Sequence, residues 1–232
     1  MNMLTSGFQL WTNQLHATFV ETGYYTYLIE GLGNTVLITV GALLIGMVIG
    51  LILAIAKYLA EDVPVLKPIV WLCDLYINVI RGVPVVVLLL IFFFIIMKSS
   101  DNGVLVAILT FGINSGAYMA ELIRGGIQAV DKGQTEAGRC LGMSRFQTMF
   151  WIIIPQSIRT ILPAMGNEFI ALLKETSVAG YVAVVDLTRA GNLIRNNTWD
   201  AVNPLMVVAL TYLFMVYTLT ALLRKLEQRL AR

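Results

Sequence analysis

Long apolar runs alternate along this chain with short segments in which Lys, Arg, Asp and Glu are concentrated. A helix needs about 20 mostly apolar residues to cross the hydrocarbon core of a bilayer. Segments that meet or approach this length predict five membrane-spanning helices: Thr35–Ala56, Val83–Met97, Val104–Ile127, Phe150–Leu173 and Pro204–Leu223. The first and the last carry no charged residue, whereas polar residues interrupt the third and the fourth. The pattern therefore predicts an all-α integral membrane protein.

Two other segments are amphipathic or too polar to span. Lys67–Gly82 sets apolar residues such as Trp71 against polar ones such as Asp74 and Arg81, which predicts an amphipathic helix at the membrane interface. Residues 1–30 are too polar to predict a sixth span, so we expect them to form an extracytoplasmic or interfacial segment. A transmembrane domain would then cover residues 31–225, and residues 226–232 would form a cytoplasmic tail.

The distribution of positive charge predicts how the chain lies in the membrane. Five spans place the two termini on opposite sides, and cytoplasmic segments carry an excess of Lys and Arg. With the N-terminus outside, only four of the 16 Lys and Arg residues lie on the outer side: Lys98, Lys174, Arg189 and Arg195. The remaining twelve lie inside, so we expect the N-terminus outside and the C-terminus in the cytoplasm.

Composition argues against several other classes of protein. The chain is 58% hydrophobic and 13% charged, whereas soluble domains carry roughly a quarter charged residues. Because His16 is its only histidine and Cys73 and Cys140 are its only cysteines, it has few ligands for zinc or haem. It also lacks the G-x-x-x-x-G-K-[ST] sequence of a P-loop. We therefore expect neither an enzyme nor a cofactor bound by this chain, and any ATP would be hydrolysed by a partner.

The most polar cytoplasmic loop is predicted between the third and fourth spans, at about Gln128–Met149. Its sequence predicts a short helix over Gln134–Leu141, in which Glu136 and Arg139 pair one turn apart. Gly142 follows where a glycine commonly ends such a helix. The loop is therefore expected to be ordered, and to be where this protein meets something cytoplasmic.

A second helix is predicted directly after this glycine. Ser144 and Gln147 form an S-x-x-Q capping box, in which each residue satisfies a backbone N–H at the start of a helix. The loop therefore predicts a short surface helix that is rigidly joined to the fourth span.

The same loop resembles a known signature, the coupling loop of binding-protein-dependent ABC importers, which reads E-A-A, three residues, G, nine residues, I-x-L-P. The matching residues here are Glu136-Ala137-Gly138, Gly142, Ile152 and Ile154-Pro155. Two residues depart from the signature: Ile154 replaces the leucine, and Gly138 replaces the second alanine, which is expected to loosen the helix by about 1 kcal/mol. Four more segments are similar to the polar amino acid permeases of this family and extend the likeness over about Gly31–Arg224: Gly33–Val36, Arg81–Pro84, Ala117–Gly126 and Leu172–Ser177.

This resemblance implies a permease subunit that moves a polar amino acid across the bacterial cytoplasmic membrane by alternating access. It implies that the loop helix docks on an ATPase subunit, with Glu136, Ala137, Gly138, Arg139 and Gly142 transmitting the movement. The implied partners are two copies of the ATPase, which bind ATP and Mg²⁺, a second permease chain of the same or a related kind, an extracytoplasmic amino-acid-binding protein and the lipid bilayer. No nucleic acid is expected.

Polar residues inside the spans are the candidates for a substrate path. Ionisable groups in the membrane are costly, and transporters bind cargo near the midplane at sites lined with polar groups. The candidates in the third and fourth spans are Asn114, Tyr118, Glu121, Asn167, Glu168 and Glu175. Glu168 lies deep in its span with no cation close in sequence, so we expect it to pair with a cationic group on the cargo. That favours arginine, lysine, ornithine or histidine over glutamate.

Simpler explanations stay open for several of these residues. Glu121 and Arg124 are one helical turn apart and could simply pair. Asn114 and Asn167 could hydrogen-bond across helices. Glu175 belongs to the family's general pattern near the outer end, which argues for a gating or structural role.

An ion-coupled secondary transporter is the alternative function, although such folds usually show internal repeats and more spans. Two glycine motifs, Gly46-x-x-x-Gly50 and Gly112-x-x-x-Gly116, permit close helix approach. Glycine is common in membrane helices, so the sequence gives them no special role.

Overall fold

The computed structural model describes residue 9 and residues 11–60 and 63–230, and every regular element in this part is helical. From Tyr25 onward, the α-helices are α1 (Tyr25–Ala60), α2 (Lys67–Gly82), α3 (Val85–Ile91), α4 (Gly103–Gln128), α5 (Lys132–Cys140), α6 (Arg145–Thr148), α7 (Ile154–Glu175), α8 (Leu187–Thr198) and α9 (Val202–Leu230). Two π-helical segments, Phe92–Ile96 and Met149–Ile153, continue α3 and connect α6 to α7. A 3₁₀ segment, Thr176–Val182, follows α7.

Three of the described helices, α1, α4 and α9, are long and apolar enough to cross a membrane. They contain the first, third and fifth predicted spans. The predicted fourth span coincides with the second π-helical segment and α7, which has 22 residues but carries Arg159, Asn167 and Glu168. This helix is long enough to cross a membrane, but it is too polar to be recognised as a span by its composition. Five spans therefore remain a prediction.

The second predicted span is not a straight helix. α3 and its π-helical continuation have seven and five residues, and together extend only about 18 Å. Pro84 precedes α3, and the segments Pro64–Gly82 and Val85–Ile96 meet at 103°. The hydrophobic run therefore forms one arm of a bent pair with α2, which counts as a fourth span only if both arms are taken together. Because proline lacks an N–H and restricts the residue before it, the helix ends at this point.

The core is the interface between α1 and α4, and the two glycine motifs form it. A Cβ atom at Gly50 would lie 2.5 Å from Cβ of Met119, and one at Gly112 would lie 2.7 Å from Cγ2 of Ile45. The motifs therefore face each other's helix and let the two backbones approach closely. Ile38 and other fully buried residues continue this core toward the N-terminal end of α1.

Polar side chains in the N-terminal half of α1 hold the segment that leads into α8. Asn34 donates a hydrogen bond through Nδ2 to the carbonyl oxygen of Val185 (2.9 Å), and the backbone N–H of Leu187 donates to Oγ1 of Thr35 (3.1 Å). A Cβ at Gly31 would lie 2.8 Å from the carbonyl oxygen of Asp186. These contacts fix α8 against α1 although the two are far apart in sequence.

The N-terminal segment is partly helical and contacts the start of α9. Residues 11–16 are α-helical and Ala17–Glu21 are π-helical. Trp11 donates through Nε1 to Oδ1 of Asn203 (2.8 Å). The boundary expected at residues 30 and 31 lies inside α1, and the one at residues 225 and 226 lies inside α9, so both fall within continuous helices.

Candidate functional site

The loop between α4 and α7 forms the helix that its sequence predicts, which begins two residues earlier, at Lys132, and ends one residue earlier, at Cys140. Asp131 begins α5 by accepting a hydrogen bond from the N–H of Gly133 (2.7 Å). Gly142 follows the helix with φ of +80°, a conformation that glycine adopts without steric cost. The capping box of Ser144 and Gln147 is present in both directions, and α6 begins after it.

The signature residues divide between two faces of α5. Glu136, Ala137 and Arg139 are exposed, whereas Gly138 is buried. A Cβ at Gly138 would lie 2.8 Å from Cγ2 of Thr148, so the missing methyl group lets α5 pack against the segment that continues into α7. The expectation that Gly138 only loosens the helix is therefore incomplete. Because glycine has no side chain, it also lets α5 pack closely against α6.

The predicted pair of Glu136 and Arg139 is wrong. No ion pair joins them among the described residues, and both side chains extend into solvent. An exposed pair of this kind contributes little stability, so nothing holds the two side chains together. Both are therefore available to a partner.

Exposed apolar residues next to α5 were missed by the sequence reasoning. Leu141 is 80% exposed at the end of α5, and Phe146, 66% exposed, stacks on Phe150 with ring centroids 6.1 Å apart. Trp151 lies edge-on to Phe150. Large apolar side chains grouped on a surface mark contacts with protein or membrane. The signal was present in the sequence, as Leu141 and Phe146 within the most polar loop and Phe150 and Trp151 directly after it.

Glu168 faces α4 and meets a residue that was not predicted. Ser115, which is fully buried, donates through Oγ to Oε1 of Glu168 (3.3 Å). No cation lies within ion-pair distance of Glu168 in the described part of the chain. Glu175, seven residues later on the same helix, and Arg81 of α2 act on it electrostatically over longer distances. The carboxylate is therefore half-buried with a single neutral partner.

Glu121 is already paired within the chain. Arg124 contacts its carboxylate at 2.6 Å, and Arg81 of α2 lies 4.0 Å away. Arg81 also lies over the ring of Tyr118, with its Cζ atom 5.1 Å from the centroid. Tyr118 and Glu121 thus meet one cation from the bend between α2 and α3. The simpler explanation for Glu121, a pair with Arg124, describes the structure.

The remaining candidates are dispersed. Asn114 is 4% exposed on α4 beside Ser115, while Asn167 is exposed on α7. Glu175 is partly buried near the end of α7 and Lys174 is exposed. The structure therefore brings Glu168 and Ser115 together, and separately Tyr118, Glu121 and Arg81. It does not bring all six predicted residues into one site.

Two carboxylates at the ends of α8 differ in their surroundings. Burial raises the pKa of Asp186, although its Oδ2 accepts from the N–H of Thr188 (2.8 Å), and its Oδ1 has no hydrogen-bond partner in the described part of the chain. Slight burial would raise the pKa of Asp200, but hydrogen bonds from Asn203 and from the N–H of Val202 hold it below its usual value. Of the two, Asp186 is therefore the carboxylate whose ionisation is unfavourable in the folded protein.

Comparison with known proteins identifies the family. Residues 46–232 match the family described as the binding-protein-dependent transport system inner membrane component. The chain belongs to this family. It is 37% identical over 211 residues to the glutamine transport system permease protein GlnP of Escherichia coli K12, and 32% identical over 207 residues to the arginine transport system permease protein ArtQ of Bacillus subtilis; each alignment covers 88% of this chain and 92% of the relative.

Solved structures agree with this membership. A crystal structure of an amino acid ABC transporter with histidines superposes with a TM-score of 0.83 at 39% identity, covering 90% of this chain and 96% of the other. The methionine ABC transporter MetNI, in an inward-facing conformation, shares the fold with a TM-score of 0.77 at 19% identity, covering 90% and 98%.

The chain is therefore a transport subunit rather than an enzyme: the permease of an amino acid ABC importer, a multi-pass protein of the cytoplasmic membrane. Membership implies ATPase and binding-protein partners. The alternative of an ion-coupled secondary transporter does not agree with this membership.

Proposed function

We propose that this permease imports an amino acid with a cationic side chain, namely arginine, lysine, ornithine or histidine. The observation that carries the proposal is the environment of Glu168, which is partly buried, accepts one hydrogen bond from Ser115 and has no cation within ion-pair distance among the described residues. A carboxylate without a counter-ion is costly inside a membrane, so a cationic ligand would be stabilised there. Glu175, seven residues later on α7, acts electrostatically on Glu168 and adds to the negative charge there.

Alternating access would need two permease subunits that enclose the path between them, with two copies of the ATPase on the cytoplasmic face. The exposure of α9 supports a partner. Only 6% of its most apolar stretch is buried against the rest of the chain, whereas 61% of the corresponding stretch of α4 is buried. Lipid and a second permease, identical or related, would cover it. We place the N-terminus outside, so that α5 docks on the ATPase and the region of α8 faces the binding protein. We expect ATP and Mg²⁺ on the ATPase and no cofactor on this chain.

Uptake by proteoliposomes that contain the permease, its ATPase and its binding protein tests the cargo. Arginine, glutamine, glutamate and cystine would be compared, with and without ATP. Glu168→Gln should raise the apparent KM for arginine about tenfold or more, because a hydrogen bond or ion pair to a charged group is lost. Assembly of the complex should be unchanged.

The matched control is Glu21→Gln, which removes an exposed carboxylate from the N-terminal segment. It should leave uptake unaltered. Wild-type uptake of arginine by Glu168→Gln, or ATP-dependent uptake of glutamine in preference to arginine, would contradict the proposed cargo while leaving the family membership intact.

A further inference from the structure

Three contacts join the inner end of α1 to the first residue of α6. Tyr58 donates through its hydroxyl to the carbonyl oxygen of Arg145 (3.3 Å), and Arg145 donates through Nη2 to the carbonyl oxygen of Tyr58 (3.2 Å). The guanidinium also lies over the tyrosine ring, with Cζ 4.5 Å from the centroid. Two hydrogen bonds and a cation–π contact between the same two residues fix their distance and orientation.

Arg145 moves with the loop helix because the loop is internally joined. Gly138 of α5 packs against Thr148 of α6, and the Thr148 hydroxyl donates to the carbonyl oxygen of Ser144 (3.0 Å). The capping box fixes Arg145 in the turn directly after Ser144. A displacement of α5 is therefore transmitted to the guanidinium of Arg145.

Tyr58 in turn lies where α1 meets α2. Its neighbour Lys57 contacts Asp74 of α2 at 2.5 Å, and the Tyr76 hydroxyl of α2 donates to a carbonyl oxygen of α4 (2.6 Å). α2 ends at the bend where Arg81 reaches the polar residues of α4. Coupling between distant sites is carried by connected helices and polar contacts that can switch between two arrangements.

We propose that the pair of Tyr58 and Arg145 is a transmission joint, through which movement of α5 reaches α1 and the bent pair α2–α3 rather than passing along α7 alone. Both are positioning residues, since neither is placed at the ATP or in the cargo path. The proposal rests on the proposed docking of α5 on the ATPase.

The test uses the complete complex of permease, ATPase and binding protein in proteoliposomes. Arg145→Gln and Tyr58→Phe would be compared with wild type for ATP hydrolysis and for uptake, both per assembled complex. We expect hydrolysis to stay within about twofold while cargo moved per ATP falls about tenfold in Arg145→Gln and less in Tyr58→Phe, which keeps the ring. Arg229→Gln, which replaces an exposed arginine in the last turn of α9, is the control and should match wild type.

A double variant shows whether the two residues act as a unit. Tyr58→Phe combined with Arg145→Gln should lower uptake per ATP no further than Arg145→Gln alone. Unchanged uptake per ATP in assembled Arg145→Gln, a parallel loss of hydrolysis and uptake, or independent effects in the double variant would each overturn the joint. If Arg145→Gln assembles poorly, the amount of cargo moved per ATP by Tyr58→Phe decides whether the joint exists: a value equal to that of wild type would overturn it.

If α5 does not dock on the ATPase, a different measurement would show it. Ala137→Arg, which places a large side chain on the exposed face of α5, should prevent the ATPase from binding. Normal ATPase binding by that variant would contradict the docking of α5, whereas a normal coupling ratio in Arg145→Gln contradicts only the joint.

Discussion

At the scale of single residues, Gly138 shows how a small departure from a family pattern is explained by one neighbour. The family pattern has alanine at this position, and helix propensity alone would favour alanine by about 1 kcal/mol. Thr148 lies where the methyl group would be, 2.8 Å from the position of a Cβ. The absence of a side chain at Gly138 therefore makes room for Thr148, which is ten residues away along the chain.

Gly138→Ala should destabilise the loop by about 1–2 kcal/mol, because the new methyl group overlaps Thr148 in a close-packed contact. Thr148→Ser removes the overlapping methyl group but keeps the hydroxyl that donates to Ser144, so the double variant should recover most of the loss. Thermal unfolding of the four proteins in detergent measures this. If the double variant is as unstable as Gly138→Ala, the methyl group of Thr148 is not the cause.

Asp186 predicts a pH dependence of stability. Because burial raises its pKa in the folded protein, the folded state keeps this proton to a higher pH than the unfolded state does. The carboxyl group therefore lowers stability progressively as the pH rises above the ordinary aspartate pKa of about 3.9, and the loss is complete once the folded group has ionised.

Asp186→Asn keeps a helix N-cap that accepts from Thr188 but cannot ionise. Its melting temperature should exceed that of wild type at neutral pH, and the difference should shrink as the pH falls toward 4. Melting curves between pH 4 and 8 test this. A difference that grows on acidification would mean that the ionised form is stabilised instead.

At the scale of helices, the sequence predicted the positions of the long helices better than their shapes. The runs in α1, α4 and α9 were recognisable because apolar composition alone decides whether a helix suits the bilayer. The 103° bend between α2 and α3 and the short extent of α3 depend on which neighbours the helix meets after Pro84. Composition contains no information about those neighbours.

The packing of α1 on α4 yields a prediction with an internal control. Gly50→Ala should destabilise the protein by about 2 kcal/mol or more, since its methyl group would lie 2.5 Å from Met119 and 2.9 Å from a backbone nitrogen. Gly33→Ala, in the same helix with nothing within 4 Å of its Cβ, should be neutral or stabilise by up to about 1 kcal/mol. Unfolding in detergent measures both. Equal effects would show that helix propensity, and not the interface, decides.

At the scale of the whole molecule, the two native cysteines can test the proposed orientation. Cys140 is exposed on α5 and Cys73 is buried in α2. With Cys73→Ser in place, a membrane-impermeant thiol reagent should label Cys140 in inside-out vesicles and leave it unlabelled in right-side-out vesicles.

The complementary control places a cysteine at Trp199, which is 93% exposed, in a variant without both native cysteines. It should be labelled from the outer side only. Labelling of Cys140 in right-side-out vesicles would reverse the orientation, and with it the assignment of α5 to the ATPase.

The sequence by itself determined the helical class, the three long apolar helices, the C-terminal end of α5 to within one residue and the start of α6. These features depend on composition over a window of residues, or on backbone geometry within a few residues, such as the left-handed turn at Gly142 and the capping box at Ser144. The family likeness arose from the same local signals.

Only the tertiary structure decided which side chains meet. Tyr58 and Arg145 are 87 residues apart, and Ser115 and Glu168 are 53 apart. Glu121 and Glu168 look alike in the sequence, yet one is neutralised by two arginines and the other is not. Such differences depend on how helices pack against each other, and the packing depends on contacts of the whole chain rather than on any one segment.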